Sequence, residues 1–307
     1  MNFFISVLEQ GLIFAIGALG VYITYTILDF PDLSVDGTFS LGPAITAAFI
    51  MKGANPFISL GLAFAGGAIA GLVTGILHVK FKITNLLSGI LVMIGLYSIN
   101  LRIMGKANVP MFGKENMFSS GVSIVLILGV IVIAVKILMD ILFITKFGFI
   151  LRATGDNETL VTSLGVDKGT MKIAGLVISN GLVALSGAIM AQHQGFSDIS
   201  MGSGFIVIAL ASIILGQSVF KKSRLLKGTT VVIIGAFLYK LSVGFAINLG
   251  FPPTDLKLIT SIIVVIAITL NNNNWLSKIK ESMKFKKGGE VKCSRWNQSK
   301  NPLIREQ

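Results

Sequence analysis

The chain has 307 residues, of which 53% are hydrophobic and only 13% charged, with a formal net charge of +12 and a mean hydropathy of +0.82. Soluble domains carry roughly 25% charged residues, so this balance excludes a disordered chain or a disulfide scaffold and argues strongly against a soluble enzyme. It predicts an all-α, polytopic membrane helix bundle in contact with lipid over most of its length.

The positive charge does not point to nucleic acid. Nine Lys/Arg and three Asp/Glu fall in 271–307, and most of the remaining charges lie between apolar stretches, as in the loops of a membrane protein. We read 1–270 as the transmembrane domain and 271–307 as a basic cytoplasmic tail. The single cysteine, Cys293, lies in that tail and can form no internal disulfide.

In chain order, the first apolar run, 4–28, lacks a basic flank and is long enough to be a retained span. Further spans are predicted over 38–51, 57–79, 83–104, 120–145, 171–193, 204–220, 228–249 and 255–270. The count is nine, with eight or ten also compatible. The second, seventh and ninth are short enough to be tilted or broken helices. Ala63, Gly67, Gly71 and Gly75 recur at four-residue spacing on the third span. Such a stripe lets helices approach closely, either within the chain or between two chains.

Between the first two spans lies Phe30-Pro-Asp32-Leu-Ser34 running to Phe39. Phe196-Ser-Asp198-Ile-Ser200 running to Phe205 repeats its pattern. Five predicted spans separate the copies, so two related halves would be inverted in the membrane, an architecture common in transporters. Asp32, Ser34, Asp198 and Ser200 can cap the short helices that follow them. The alternative is that these loops gate the two ends of a pathway. Asp29 and Asp36 read as interfacial loop charges.

Polar residues inside spans have two readings each. Asn85, Ser88, Asn100, Asn180 and Ser186 either line a path or bond helices together. Lys136 and Asp140 lie four apart on one helical face and read as an ion pair. Lys240 lies near the middle of the eighth span. It either reaches carbonyls or the interface, or faces a pore and attracts a substrate carboxylate.

The stretch 147–172 is too polar to span. Within it 157–164 reads as a short helix, capped by Asp156 or Asn157, with Glu158 at its positive end and Gly165 stopping it. A solvated loop and a docking element both fit these residues. Placing 146–170 in the cytoplasm leaves nineteen Lys/Arg on the inner side and five outside, which orients the chain with the C-terminus inside and, for nine spans, the N-terminus outside.

The run Leu151-Arg152-Ala153-Thr154-Gly155-Asp156-Asn157 through Leu164-Gly165-Val166 resembles the cytoplasmic loop of ABC importer permeases of the branched-chain amino acid and ribose group. The similarity extends over 30–220 and includes Ser34 to Gly42, Gly89 to Arg102, Asn180-Gly181-Leu182 and Ser186-Gly187-Ala188. It is nearest to a less characterised branch thought to serve amino acids such as tryptophan or tyrosine. The resemblance implies a translocation subunit in the cell membrane, paired with a second permease chain as a homodimer. An ATPase would bind ATP and Mg below it, and an extracytoplasmic substrate-binding protein would deliver the solute. Coupling to the ATPase would fall on Asp156, Asn157, Glu158, Thr159, Leu160, Leu164 and Gly165. The family's usual Asn-Glu-Ala-Ala is Asn157-Glu158-Thr159-Leu160 here.

No G-x-x-x-x-G-K-[ST], HExxH or GxSxG motif and no Cys/His cluster occurs. Neither an enzyme active site nor a cofactor or metal in this chain is therefore expected. The rival classes are an ion-coupled secondary transporter and an ABC permease for a sugar or nucleoside. A secondary transporter would need buried coupling carboxylates, which the spans supply sparingly.

Overall fold

The computed structural model describes residues 3–119, 121–220 and 226–250, with single positions between 252 and 269. The predicted ninth span falls largely outside the described residues, and the tail entirely so. Ten α-helices and one short two-stranded sheet are described. α1 (Phe3–Tyr22) continues into a π-helical turn, Ile23–Ile27. α2 (Ser34–Met51), α3 (Pro56–Val79), α4 (Asn85–Met104) and α5 (Ile124–Ile144) follow. α6 (Lys146–Asp156) and α7 (Glu158–Ser163) form the polar arm. α8 (Lys168–Gln194), α9 (Phe205–Val219) and α10 (Gly228–Asn248) complete the bundle.

Six helical segments are long and apolar enough to cross a membrane: α1 with its π turn, α3, α4, α5, α8 and α10. α2 and α9 do not join them. α2 carries Asp36, Thr38, Ser40 and Pro43. α9 has 15 residues, about 22 Å of helix against a hydrocarbon core of about 30 Å. α2 begins four residues earlier than its apolar run because Asp32 accepts from the Ser34 amide at 2.8 Å.

Local chemistry sets the helix ends. Asn55 accepts from the Phe57 amide at 2.8 Å, with Pro56 in the first turn of α3. Asp167 accepts from the Gly169 and Thr170 amides at 3.0 and 3.1 Å to open α8. Gly195, at φ 77°, takes the left-handed turn that closes it. The chain then pairs Phe196–Asp198 (β2) antiparallel with Asn108–Pro110 (β1).

α8 is the axis of the fold, packed by α1, α2 and α3. The small-residue stripe of α3 lies against it: side chains at Gly67 and Gly71 would meet the carbonyl oxygens of Asn180 and Leu176. Of the two readings of that stripe, packing within the chain is the one observed. Ser186 adds an interhelical bond to the Ile13 carbonyl at 2.7 Å.

Phe39 of α2 and Phe205 of α9 stack at 4.3 Å, and Phe14 of α1 stacks on both at 5.9 Å. The two phenylalanines that end the repeated motif thus meet in the core.

Candidate translocation and coupling sites

Asp32 is 2% exposed and belongs to a buried knot. Its Oδ2 accepts from Asn180 Nδ2 at 2.8 Å, while Asn180 Oδ1 accepts from Thr38 at 2.7 Å and Ser34 at 3.2 Å. The start of α2 is thereby tied to the middle of α8. Every polar group in the knot has a partner, so Asp32, Ser34 and Asn180 hold helices together.

The other predicted pathway residues are also occupied. Ser88 is buried and donates to the Asn85 carbonyl at 2.8 Å, and Asn85 accepts from the Leu86 amide at the start of α4. Lys240 donates to Gln10 at 3.3 Å and lies 3.7 Å over the Phe14 ring, between α1 and α10. A cation over a π face recovers part of its desolvation cost, and here that contact accompanies a hydrogen bond.

Asp198 accepts from the Ser200 amide at 2.8 Å and from Asn108 at 3.1 Å, fixing the strand turn. It does not cap α9. That role falls to Asp36, whose carboxylate accepts from the Gly204 and Ile206 amides at 2.9 and 2.8 Å. Ser40 accepts from the Gly202 amide at 2.9 Å beside it. Asp36 is therefore not a loop charge. It lies on α2 and caps a helix from the other half of the chain.

Of the residues singled out from the sequence, Asp36, Asn100 and Ser200 lie on a groove of mixed polar and apolar lining. A cavity of about 530 Å³ lies between α2, α4 and the 199–203 turn. Asp36, Ser40, Tyr97, Ser98, Asn100, Ser200 and Ser203 supply its polar wall, and Met93, Ile94 and Ile199 part of its apolar one. Asn100 donates to the Gly37 carbonyl at 3.2 Å, but its buried Oδ1 has no partner. Asn100 was among the polar residues read from the sequence. The signal for the rest is the polar triplet Tyr97, Ser98 and Asn100 on an otherwise apolar α4.

The polar arm forms as two helices. Thr145 caps α6 and Asn157 caps α7, accepting from the Leu160 amide at 3.1 Å. Asp156 ends α6 and does not cap α7. Gly165 takes the left-handed turn after α7 at φ 74°. Gly155 brings α6 onto the π turn of α1, where a side chain would meet the Ile27 carbonyl.

Glu158 does more than favour a helix terminus. Its carboxylate takes Lys168 at 2.7 Å and Lys172 at 2.6 Å, clamping α7 to the first turns of α8. Hydrogen bonds from Lys168 and then Lys172 pull its pKa down to about 2. Val161 is buried beneath α7, whereas Leu160 is 51% and Leu164 66% exposed, with Thr159 beside them also exposed. α7 thus displays two leucines outward from a fixed mount.

Each histidine has one ring nitrogen bonded, and the buried Nδ1 of His193 is left without a partner. His78 bonds the Ile83 carbonyl at 2.9 Å, and His193 bonds Glu9 at 3.0 Å. No metal-competent group of His, Cys, Asp or Glu occurs among the described residues.

An apolar helical bundle with a polar side groove and a mounted polar arm is a multi-pass membrane transport protein. The chain belongs to the family described as branched-chain amino acid transport system, permease component, the type II ABC importer permeases, whose profile matches residues 3–269. It is 50% identical over 274 residues to the tyrosine transport system permease protein of Clostridioides difficile (strain R20291), covering 89% of this chain and 93% of that one. It is 36% identical to the uncharacterized protein RP368 of Rickettsia prowazekii (strain Madrid E), over 88% of this chain and 98% of the other. The ribose import permease protein RbsC of Escherichia coli (strain K12) is 24% identical, over 89% and 86%. No solved structure matches significantly.

Proposed function

We propose that this chain is the translocation subunit of an ATP-driven importer carrying an amino acid inward, with an aromatic amino acid as the first candidate. The cargo follows the half-identical relative named for tyrosine transport; the relatives named for ribose keep a sugar as the alternative. A substrate-binding protein delivers the solute, and a separate ATPase hydrolyses ATP.

The observation that carries the proposal is the presentation of α7. Leu160 and Leu164 project outward while the Glu158 clamp fixes the helix to α8. Two exposed leucines on a rigid mount can fill a hydrophobic groove in an ATPase and transmit its motion to α8, the axis of the bundle. Asn157, Thr159 and Gly165 shape that surface, and Asp156 ends the helix before it.

The polar groove supports a passage. Asp36, Ser98 and Asn100 could not face hydrocarbon without a large cost, so a second copy of the chain would close the groove. We infer nine spans and inverted halves, supported by the stacked Phe39 and Phe205 and by α9, whose cap comes from α2. The same reading places α6 and α7 in the cytoplasm, the N-terminus outside, and 271–307 as a cytoplasmic tail.

The test is co-purification with the cognate ATPase. Leu160→Ser with Leu164→Ser should abolish retention of the ATPase while the chain remains folded. Full retention by that variant would refute the docking role.

A further inference from the structure

We propose that the chain binds the headgroup phosphate of an anionic phospholipid in a cavity at the membrane end that bears α6 and α7. This cavity, about 320 Å³, lies where α1 and α5 end and α6 and α10 begin. It is separate from the groove and from α7.

Three donors of different kinds converge there. Arg152 of α6 has no carboxylate partner among the described residues and lies 4.9 Å over the Phe143 ring. Lys227 reaches in from the start of α10, sharing Asp140 with Lys136 at 3.2 and 2.8 Å. α10 has 21 residues and no side-chain cap, so its first amides, at Gly228 and Thr229, line the cavity as open donors.

The second, independent observation is Tyr22. It is 8% exposed and its hydroxyl has no hydrogen-bond partner among the described residues. That hydroxyl stands over the first residue of α10, where a side chain on Gly228 would strike it. A buried phenol beside uncapped amides and an unpaired guanidinium is a phosphate-binding arrangement.

Asp140 does not fill the role of the anion. Lys136, Lys227 and Thr229 already engage it. Arg152, Lys136 and Lys227 set three cations against this one carboxylate and leave the site positive.

The mouth selects a lipid over a free anion. Ile144 and Phe149 line the cavity and are exposed, Phe149 by 61%, offering apolar surface for acyl chains beside the cationic interior. A bound lipid would bridge α6 to the ends of α1, α5 and α10. It would stiffen the base of the arm that carries α7.

The test is native mass spectrometry of the full-length chain extracted from mixed vesicles of phosphatidylglycerol and phosphatidylcholine. We expect the native chain to retain phosphatidylglycerol over phosphatidylcholine by about five-fold or more, the scale set by one basic side chain near an anionic surface. Arg152→Gln with Lys227→Gln should erase the preference, and Tyr22→Phe should reduce it. Lys80→Gln with Lys82→Gln, on another loop, should leave it intact. Millimolar orthophosphate should not displace the lipid. Equal retention of the two lipids, or equal loss in the control variant, would overturn the proposal. Displacement by orthophosphate would make this a free-anion site and overturn the lipid assignment. If the double variant does not fold, Tyr22→Phe decides alone, and unchanged retention there refutes the site.

Discussion

Asn180 shows how a single amide can hold two helices in register. It donates to Asp32 and accepts from Ser34 and Thr38, and is itself fully buried. Asn180→Ala leaves the Asp32 carboxylate buried with one fewer donor and the Ser34 hydroxyl without its acceptor, while Thr38 keeps its bond to the Ser34 carbonyl. We expect a loss of about 1–3 kcal/mol, the cost of an unsatisfied buried polar group. A thermal unfolding midpoint lower by several degrees would report it, and an unchanged midpoint would show that the knot is dispensable. Glu158 makes a pH statement of the opposite kind. Its pKa is depressed to about 2, so its clamp is fully present above the usual glutamate value and is lost only as pH falls through about 2. Protection of the α7 amides, taken relative to their intrinsic exchange rates at each pH, should therefore be equal near neutrality and at mildly acid pH in the native chain. In Glu158→Gln it should be lower at both. Protection lost in the native chain above pH 4 would contradict the clamp.

At the scale of elements, the long apolar helices and the polar arm were legible because each is a local property of the chain. Hydropathy over twenty residues marks α3, α4, α5, α8 and α10, and Asn157 with Gly165 brackets α7. What was not legible depends on residues far apart in sequence. Asp36 reads as a loop charge until α9 is seen to begin 2.8 Å from it. Asp198 has the spacing of a cap, yet β1 arrives from 90 residues away and takes it into a sheet turn. Asp36→Ala removes the acceptor from two α9 amides, at about 1–2 kcal/mol for a lost cap. We expect faster exchange at the first turn of α9 and impaired transport, with partial rescue by Asp36→Asn. Normal exchange in the alanine variant would mean that other groups satisfy those amides. Gly71→Leu acts differently, forcing α3 away from the Leu176 carbonyl of α8, and should lower the yield of folded chain sharply.

At the scale of the molecule, two surfaces stand apart: the groove bordered by α2, α4 and the 199–203 turn, and α7, held by Glu158 to the first turns of α8. In the proposed function the groove serves the passage and α7 is the docking face. Sequence reading singled out Asn100, Ser200 and Asp36 but not the groove they share, because its wall is contributed by three segments far apart in the chain. The residues that did stand out, Asp32, Asn180 and Lys240, are conspicuous because a buried polar group needs partners, and in the fold they have them. The knot that absorbs Asp32 and Asn180 also joins the two parts. It anchors α2, which lines the groove, to α8, whose first turns hold α7. In the proposed function, this packing would carry a push on α7 to the groove wall.

The most direct test of that arrangement is uptake of radiolabelled tyrosine into proteoliposomes holding this chain, its cognate ATPase and its binding protein. We expect accumulation that requires ATP and all three proteins, and that falls to background with Leu160→Ser and Leu164→Ser. Accumulation driven by a sodium or proton gradient in the absence of the ATPase would contradict an ATP-driven importer.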